Sequence, residues 1–333
     1  MRQVVLPVKD ENGFFEIRFE SIGGLGAHLA GQILAEAGVL RMGLNGAHFS
    51  SYGSEKKGTP VKSYVRFCAP DQELRTTSPV LQPHLVAVFH EGLLRTEDVC
   101  SGIRPGGTVI VNSRRSPEEM RARLGLDEVT VGTVDALGIA VEEKSRVNTA
   151  MLGAVVRAAG FLDPEAVRET IRATFQRKYP HLVEANLRTF DRGFSELRLH
   201  AGVARDGVAR ALPAAGPQLG YLNAPLGGAI VNPGNTVLKD LSASRQGFLP
   251  AFRREKCVNC ALCELACPDL CFVWADNPDR KARVRRVLVG IDYQYCKGCL
   301  KCVEVCPTAA LEAVRETEGF AERARVPRFA PLP

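Results

Sequence analysis

Apolar and polar positions change rhythm several times along the chain, and each change marks an element. Residues 14–22, FFEIRFESI, alternate apolar and polar, the period-two pattern of a strand. Gly23, Gly24 and Gly26 follow at once as a glycine turn. The next stretch, AHLAGQILAEAGVL, carries Leu29, Ile33, Leu34, Ala37 and Leu40 at helical spacing. Residues 46–60, GAHFSSYGSEKKGTP, lose the apolar rhythm. They predict a long polar loop holding His48, Ser50, Ser51, Tyr52, Lys56 and Lys57, the kind of segment that often forms an interface.

The rhythm then returns. VKSYVRF (61–67), LVAVFH (85–90) and GTVIVNS (107–113) predict strands. PEEMRARLG is helical in part, and short strands are expected near 128–132 and 137–142. VNTAMLGAVVRAAG (147–160) predicts an apolar helix ended by Gly160. Asp163-Pro164 opens another through Gln176, and 180–197 a third. Strands separated by helices argue for an α/β open-sheet domain over 1–200, with a parallel, helix-covered sheet. Residues 201–250 are rich in Ala, Gly and Pro and read as an extended linker. Residues 251–333 then form a small α+β domain, in which LCFVWA (270–275) and RVRRVLVGID (283–292) predict a hairpin.

That last domain carries the clearest chemistry. It reads CVNCALCELACP from Cys257 and CKGCLKCVEVCP from Cys296, two copies of C-x-x-C-x-x-C-x-x-x-C-P. A lone C-x-x-C is ambiguous between zinc, a redox dithiol and chance. Zinc ribbons use four ligands as two separated pairs, so eight cysteines in two full copies fit neither zinc nor a disulfide scaffold. The pattern is that of the two-cluster bacterial ferredoxins, in which the fourth cysteine of each run reaches the other cube. The expected ligand sets are therefore Cys257, Cys260, Cys263 and Cys306 for one 4Fe–4S cluster, and Cys296, Cys299, Cys302 and Cys267 for the other. Pro268 and Pro307 stop the short helices that carry the fourth cysteines. Of the remaining cysteines, Cys68 reads as core, Cys100 as a helix-end residue and Cys271 as a buried thiol.

Composition narrows the setting without changing it. The 333 residues suggest two domains, and 45% hydrophobic content can bury a sizeable core. A net charge of +6 does not by itself point to nucleic acid. Arg283, Arg285 and Arg286 either offset the charge of the clusters or form a solvated hairpin edge. No run of 18 apolar residues predicts a transmembrane helix, and the N-terminus shows no signal-peptide core. Thiolate-held clusters need a reducing compartment, so the expected location is the cytoplasm. The glycine turn has two readings. Gly23, Gly24 and Gly26 let a ligand's anionic group or a cofactor approach the helix N-terminus, or they make a tight turn with no ligand. The full dinucleotide fingerprint is absent.

Taken together, the chain resembles a fused gamma–delta subunit of the 2-oxoacid:ferredoxin oxidoreductases, the pyruvate synthase group. The resemblance rests on Gly23-Gly24-x-Gly26, on NTAMLGA (148–154) and on KYPHLVEANLRTFDRG (178–193). It rests also on the two cysteine runs and on GIDYQYCKGC (290–299). It implies an electron-transfer subunit, not catalytic alone. Thiamine diphosphate and magnesium would lie in separate alpha and beta subunits, with ferredoxin or a similar acceptor and no nucleic acid or membrane partner. Coenzyme A is the usual acyl acceptor in such enzymes. Leu25 stands where the family usually has Gln, and SEKKGTP where it often has Arg-Gly-Gly, so coenzyme A use, and a pyruvate-type or oxalate-type substrate, stay open. The alternative is an iron–sulfur carrier of another redox complex with its own nucleotide-binding domain.

Overall fold

The computed structural model describes residues 4–52, 58–202, 237, 239–245, 247–279 and 284–329. They fall into two compact units, one ending at Gly202 and one opening at Val237. Lys56, Lys57, Arg283 and most of the expected linker lie outside the described residues.

The first unit is built on a seven-stranded sheet of order β2-β3-β1-β4-β5-β6-β7. Its strands are β1 (Phe15–Ile22), β2 (Asn45–Tyr52), β3 (Pro60–Cys68), β4 (Leu85–Val88), β5 (Thr108–Asn112), β6 (Thr130–Val134) and β7 (Arg198–His200). Only the central run β1-β4-β5-β6 is parallel. The β2–β3 hairpin adds antiparallel to β1, and β7 adds antiparallel to β6, so the sheet is mixed rather than parallel throughout.

Seven helices accompany it: α1 (Ala27–Leu40), α2 (Leu93–Thr96), α3 (Pro117–Leu124), α4 (Ala136–Glu142), α5 (Val147–Ala159), α6 (Pro164–Lys178) and α7 (Val183–Ser195). Helix α5 is apolar nearly all round because it lies inside the helical layer, with only Arg157 and Ala158 incompletely buried. Gly153 and Gly193 let it meet α7 backbone to backbone. A Cβ on Gly153 would lie 2.1 Å from the Phe190 carbonyl oxygen, and one on Gly193 2.0 Å from that of Ala150.

Two expectations fail here. Residues 137–142 are helix α4, not a strand. Asp135 caps it by accepting from the Gly138 N–H at 2.9 Å, and Ala136, Ile139 and Ala140 bury one helical face while Leu137 and Val141 stay exposed. Residues 45–52 are strand β2, not the start of a loop. Its backbone pairs with β3 from Asn45↔Cys68 to Tyr52↔Val61, so an edge strand forms here without an apolar face.

β1 alternates as expected, but both of its faces are covered. Ile17 and Phe19 enter the core against the helices. On the other face Glu16, Arg18 and Glu20 are buried too. Arg66 Nε lies 2.5 Å from Glu16 Oε1, Arg18 Nε 2.8 Å from Glu20 Oε1, and Lys62 Nζ 3.4 Å from Glu20. The Arg18 guanidinium also donates to the carbonyls of Val99 (3.0 Å) and Ser101 (2.8 Å), where the 69–106 region folds over the face. Burial raises the pKa of Glu16 and of Glu20, while the arginines and Lys62 oppose the rise.

The second unit is an internal duplication. One copy runs β8 (Phe248–Phe252), α8 (Leu262–Ala266), β9 (Phe272–Asp276). The other runs β10 (Arg286–Ile291), α9 (Lys301–Glu304), β11 (Leu311–Arg315). Helix α10 (Phe320–Ala324) follows. The strands pair between copies: β8 with β11, and β9 with β10. The expected hairpin is β9–β10, and Arg285 and Arg286 are exposed at its β10 side. β8 begins at Phe248, so the boundary expected at residue 250 falls inside a strand. Residues 237–245 already belong to this unit, since Gln294 Nε2 donates to the carbonyls of Val237 and Lys239, at 2.8 and 2.9 Å.

Candidate metal centre

The exchange of strands brings the ends of the two cysteine runs together. β8 leads into Cys257 and pairs with β11, which starts after Cys306. The Arg253 N–H donates to the Ala310 carbonyl at 2.7 Å, closing that junction. β10 leads into Cys296 and pairs with β9, which starts after Cys267. The Asp292 N–H donates to the Cys271 carbonyl at 2.8 Å. The head of each run is thus held beside the tail of the other by a ladder of main-chain hydrogen bonds.

Two thiol-lined cavities result. The first is lined by Cys257, Cys260, Cys263 and Cys306, with Phe252, Trp274, Leu288 and Leu311 among its apolar walls. The second is lined by Cys296, Cys299, Cys302 and Cys267, with Phe272, Ile291 and Cys271. Among the described residues, no three His, Cys, Asp or Glu side chains converge as a site for a single ion.

Local backbone geometry wraps each run around its cavity. Left-handed residues recur at matching steps of the two copies: Asn259 and Gly298, Ala261 and Leu300, Leu270 and Ala309, all with φ between 51° and 71°. For residues other than glycine this costs about 1 kcal/mol each. Main-chain N–H groups are turned inward: those of Asn259, Cys271 and Ala310 donate to the sulfurs of Cys257 (3.4 Å), Cys267 (3.5 Å) and Cys306 (3.2 Å). Such donors stabilise negative charge on a thiolate and on a cluster. Burial pushes the Cys263 thiol up to about 11 and the Cys302 thiol up to about 12.

Charged side chains that the sequence did not single out surround the second cavity. Lys297 lines it and pairs with the buried Asp269 at 3.3 Å. The side chain of Arg245 is buried. Its Nε donates to the Cys296 carbonyl at 3.1 Å, and Nη1 pairs with Glu316 at 2.6 Å. The first cavity has Val258 where the second has Lys297. An arginine some fifty positions upstream offers no periodicity or spacing by which to find it. Cys68 and Cys271 are buried as expected. Cys100 lies in a turn past α2, where burial pushes its thiol up to about 12.

The glycine turn is spent in three ways. The Gly23 N–H donates to the Thr59 carbonyl at 2.9 Å, tying the turn to the hairpin. Gly26 (φ 80°) starts α1, and a Cβ there would lie 2.9 Å from the buried Asn148 side chain in the first turn of α5. Gly24 (φ 109°) faces open space. Nearby, His28 Nδ1 lies 3.0 Å from Ser50 Oγ and His48 Nε2 2.9 Å from Ser63 Oγ, so polar groups tie β2 to α1 and to β3. Burial, then His28, lowers the pKa of His48 to about 4.

Comparison with known proteins decides the family. The pyruvate ferredoxin/flavodoxin oxidoreductase profile matches residues 16–196, and the 4Fe–4S dicluster domain profile matches 249–310.

The chain belongs to the pyruvate ferredoxin/flavodoxin oxidoreductase family.

It is 37% identical over 183 residues to the pyruvate/ketoisovalerate oxidoreductases common subunit gamma of Thermococcus kodakarensis, an alignment covering 54% of this chain and 96% of that one. It is 36% identical over 188 residues to the pyruvate synthase subunit PorC of Thermotoga maritima, covering 56% and 95%. The solved pyruvate oxidoreductase subunit PORC of Thermotoga maritima is 32% identical, with a TM-score of 0.49 over 56% of this chain and 98% of that one. Both sequence relatives are thus matched almost end to end by little more than half of this chain. Among the described residues no helix is long and apolar enough to cross a membrane.

Proposed function

We propose that this chain is the electron-transfer gamma–delta subunit of a thiamine-diphosphate-dependent 2-oxoacid:ferredoxin oxidoreductase. The observation that carries the reading is the pair of thiol-lined cavities, each drawing three cysteines from one run and one from the other, in the unit that follows the family domain. Cys257, Cys260, Cys263 and Cys306 would hold one 4Fe–4S cluster, and Cys296, Cys299, Cys302 and Cys267 the other. The clusters supply one-electron storage and transfer. The protein's part is to hold the cysteines, to aim N–H donors at their sulfurs and to exclude water with Phe252, Trp274, Phe272 and Ile291. Lys297 lines the second site together with its ion-pair partner Asp269, and Arg245, paired with Glu316, donates to the Cys296 carbonyl beside it.

Alpha and beta subunits carrying thiamine diphosphate and magnesium would decarboxylate the oxoacid, and ferredoxin would take the electrons. In the first unit Gly24 and the N-terminus of α1 form an open edge beside β2, suited to a partner subunit or to an anionic group of coenzyme A. Gly23 and Gly26 serve by fixing that edge.

Purified without oxygen, the chain should be brown, hold about eight irons and be bleached by dithionite. It should release no carbon dioxide from pyruvate or its analogues with thiamine diphosphate and a dye acceptor. Adding alpha and beta subunits should restore oxoacid-dependent reduction of its clusters. Sustained turnover by the chain alone would overturn the assignment.

A further inference from the structure

We propose that Cys271 is a reserve iron ligand of the second cavity, able to take the position of Cys267 when that thiolate is lost. The proposal rests on the cluster-binding reading above. Cys271 lines the same cavity as Cys267, Cys296, Cys299 and Cys302, and it is 3% exposed. Its sulfur lies 3.6 Å from that of Cys267.

The position is imposed by the main chain. Leu270, at φ 51°, folds the backbone back toward the cavity. The Cys271 N–H then donates to Cys267 Sγ at 3.5 Å, and its carbonyl accepts from Asp292 on the β10 side. A residue tied at both main-chain groups needs only a side-chain rotation to present its sulfur in place of its neighbour's.

The duplication supplies an internal control. The residue at the same step after Cys306 is Ala310, whose N–H donates to Cys306 Sγ at 3.2 Å and which carries no thiol. The first cavity is therefore lined by four cysteines and the second by five.

The exchange balances. The Cys271 thiol loses its proton to solvent, its sulfur bonds the iron that Cys267 would hold, and no electron moves. One thiolate replaces another, so the cluster keeps its charge.

The test is iron and acid-labile sulfide per anaerobically purified chain, with the electron paramagnetic resonance spectrum of the reduced protein. Cys267→Ala should keep about eight irons and two reduced-cluster signals, one of them shifted. Cys306→Ala should fall to between about four and seven irons, and Cys267→Ala/Cys271→Ala should fall in the same way. Cys271→Ala alone should keep about eight. Equal iron loss from Cys267→Ala and Cys306→Ala would overturn the proposal, and so would loss from Cys271→Ala alone, which would make Cys271 a resting ligand. If Cys267→Ala does not fold, Cys267→Ser with and without Cys271→Ala gives the same comparison. A wild-type chain without iron would refute the cluster reading, an outcome distinct from failure of the variants.

Discussion

His84 illustrates how far a single side chain departs from its sequence. It follows a proline in a polar stretch, yet it is buried and stacked on Phe15 at 4.9 Å. Its Nδ1 accepts the Glu16 N–H at 3.0 Å, so that nitrogen must stay unprotonated in the fold. Burial, then Arg104, lowers its pKa from 6.5 to about 4, against the raising effect of Asp10 and Glu11. Above pH 6.5 the ring is neutral in folded and unfolded chains alike and exerts no pH-dependent effect. As pH falls from 6.5 toward 4 only the unfolded chain takes the proton, so stability drops, by at most about 3 kcal/mol. Glu16 and Glu20, with raised pKa values, act in the opposite sense, so the comparison must be with a variant. In thermal unfolding between pH 7 and 4, His84→Gln should lose less of its midpoint than the wild-type chain. An identical slope would remove His84 from the account. At this scale the cysteines were legible because thiol spacing is itself the signal. His84, Arg18 and Arg245 were not, since each is buried against main-chain groups far along the chain.

At the scale of elements, the long periodic helices were readable and the short polar segments were not. α5 and α6 carry their own signals, a run of apolar residues ended by Gly160 (φ 70°) and an Asp163-Pro164 start. α4 was misread because six residues rich in Val, Ile and Ala fit a strand and a helix equally, and the Asp135 cap decides between them. β2 was misread because an edge strand held by a neighbour's backbone needs no apolar face. The α5–α7 contact gives a prediction of its own. Replacing a helix-interior glycine by alanine ordinarily stabilises by about 1 kcal/mol. Here the added methyl would meet backbone oxygen at 2.0–2.1 Å, which two packed helices cannot relieve without separating. Gly153→Ala and Gly193→Ala should each therefore destabilise by roughly 1–3 kcal/mol, measured by denaturant unfolding. A stabilised Gly153→Ala would show that the helices sit farther apart.

At the scale of the molecule, the two units draw their stability from different sources. The first buries a continuous core between one sheet face and α1, α5, α6 and α7. The second has two-stranded ladders and a small core in which Cys263, Cys271, Cys296 and Cys302 are themselves members. A unit of that size leans on its metal. Stripping iron with a chelator and an oxidant should abolish the tertiary signal of the second unit, including that of Trp274. The main far-ultraviolet unfolding transition, which belongs to the first unit, should stay within a few degrees. Simultaneous collapse of both transitions would show that the first unit depends on the clusters. The order of domains was legible, since glycine turn, helical layer and cysteine runs follow one another in the sequence. The duplication behind the second unit was visible only as repeated cysteines.

By itself the sequence determined the local chemistry: which residues can hold iron, where strands and helices alternate, and which punctuation ends them. These depend on spacing, on side-chain volume and on backbone preference, all properties of neighbours in the chain. The crossed sharing of thiols was expected from the repeated runs, but only the tertiary structure shows what brings it about. Pairing β8 with β11 and β9 with β10 sets Cys306 beside Cys257 and Cys267 beside Cys296. The same pairing brings a fifth thiol, Cys271, to one cavity and an alanine to the other. It likewise decided that the polar face of β1 is buried, because the segment that covers it arrives from sixty to eighty residues away and supplies the carbonyls that Arg18 needs, while Arg66 of β3 supplies the charge beside Glu16. A hydrogen-bond ladder between distant segments leaves no period in either one, and for that reason it could not be read in advance.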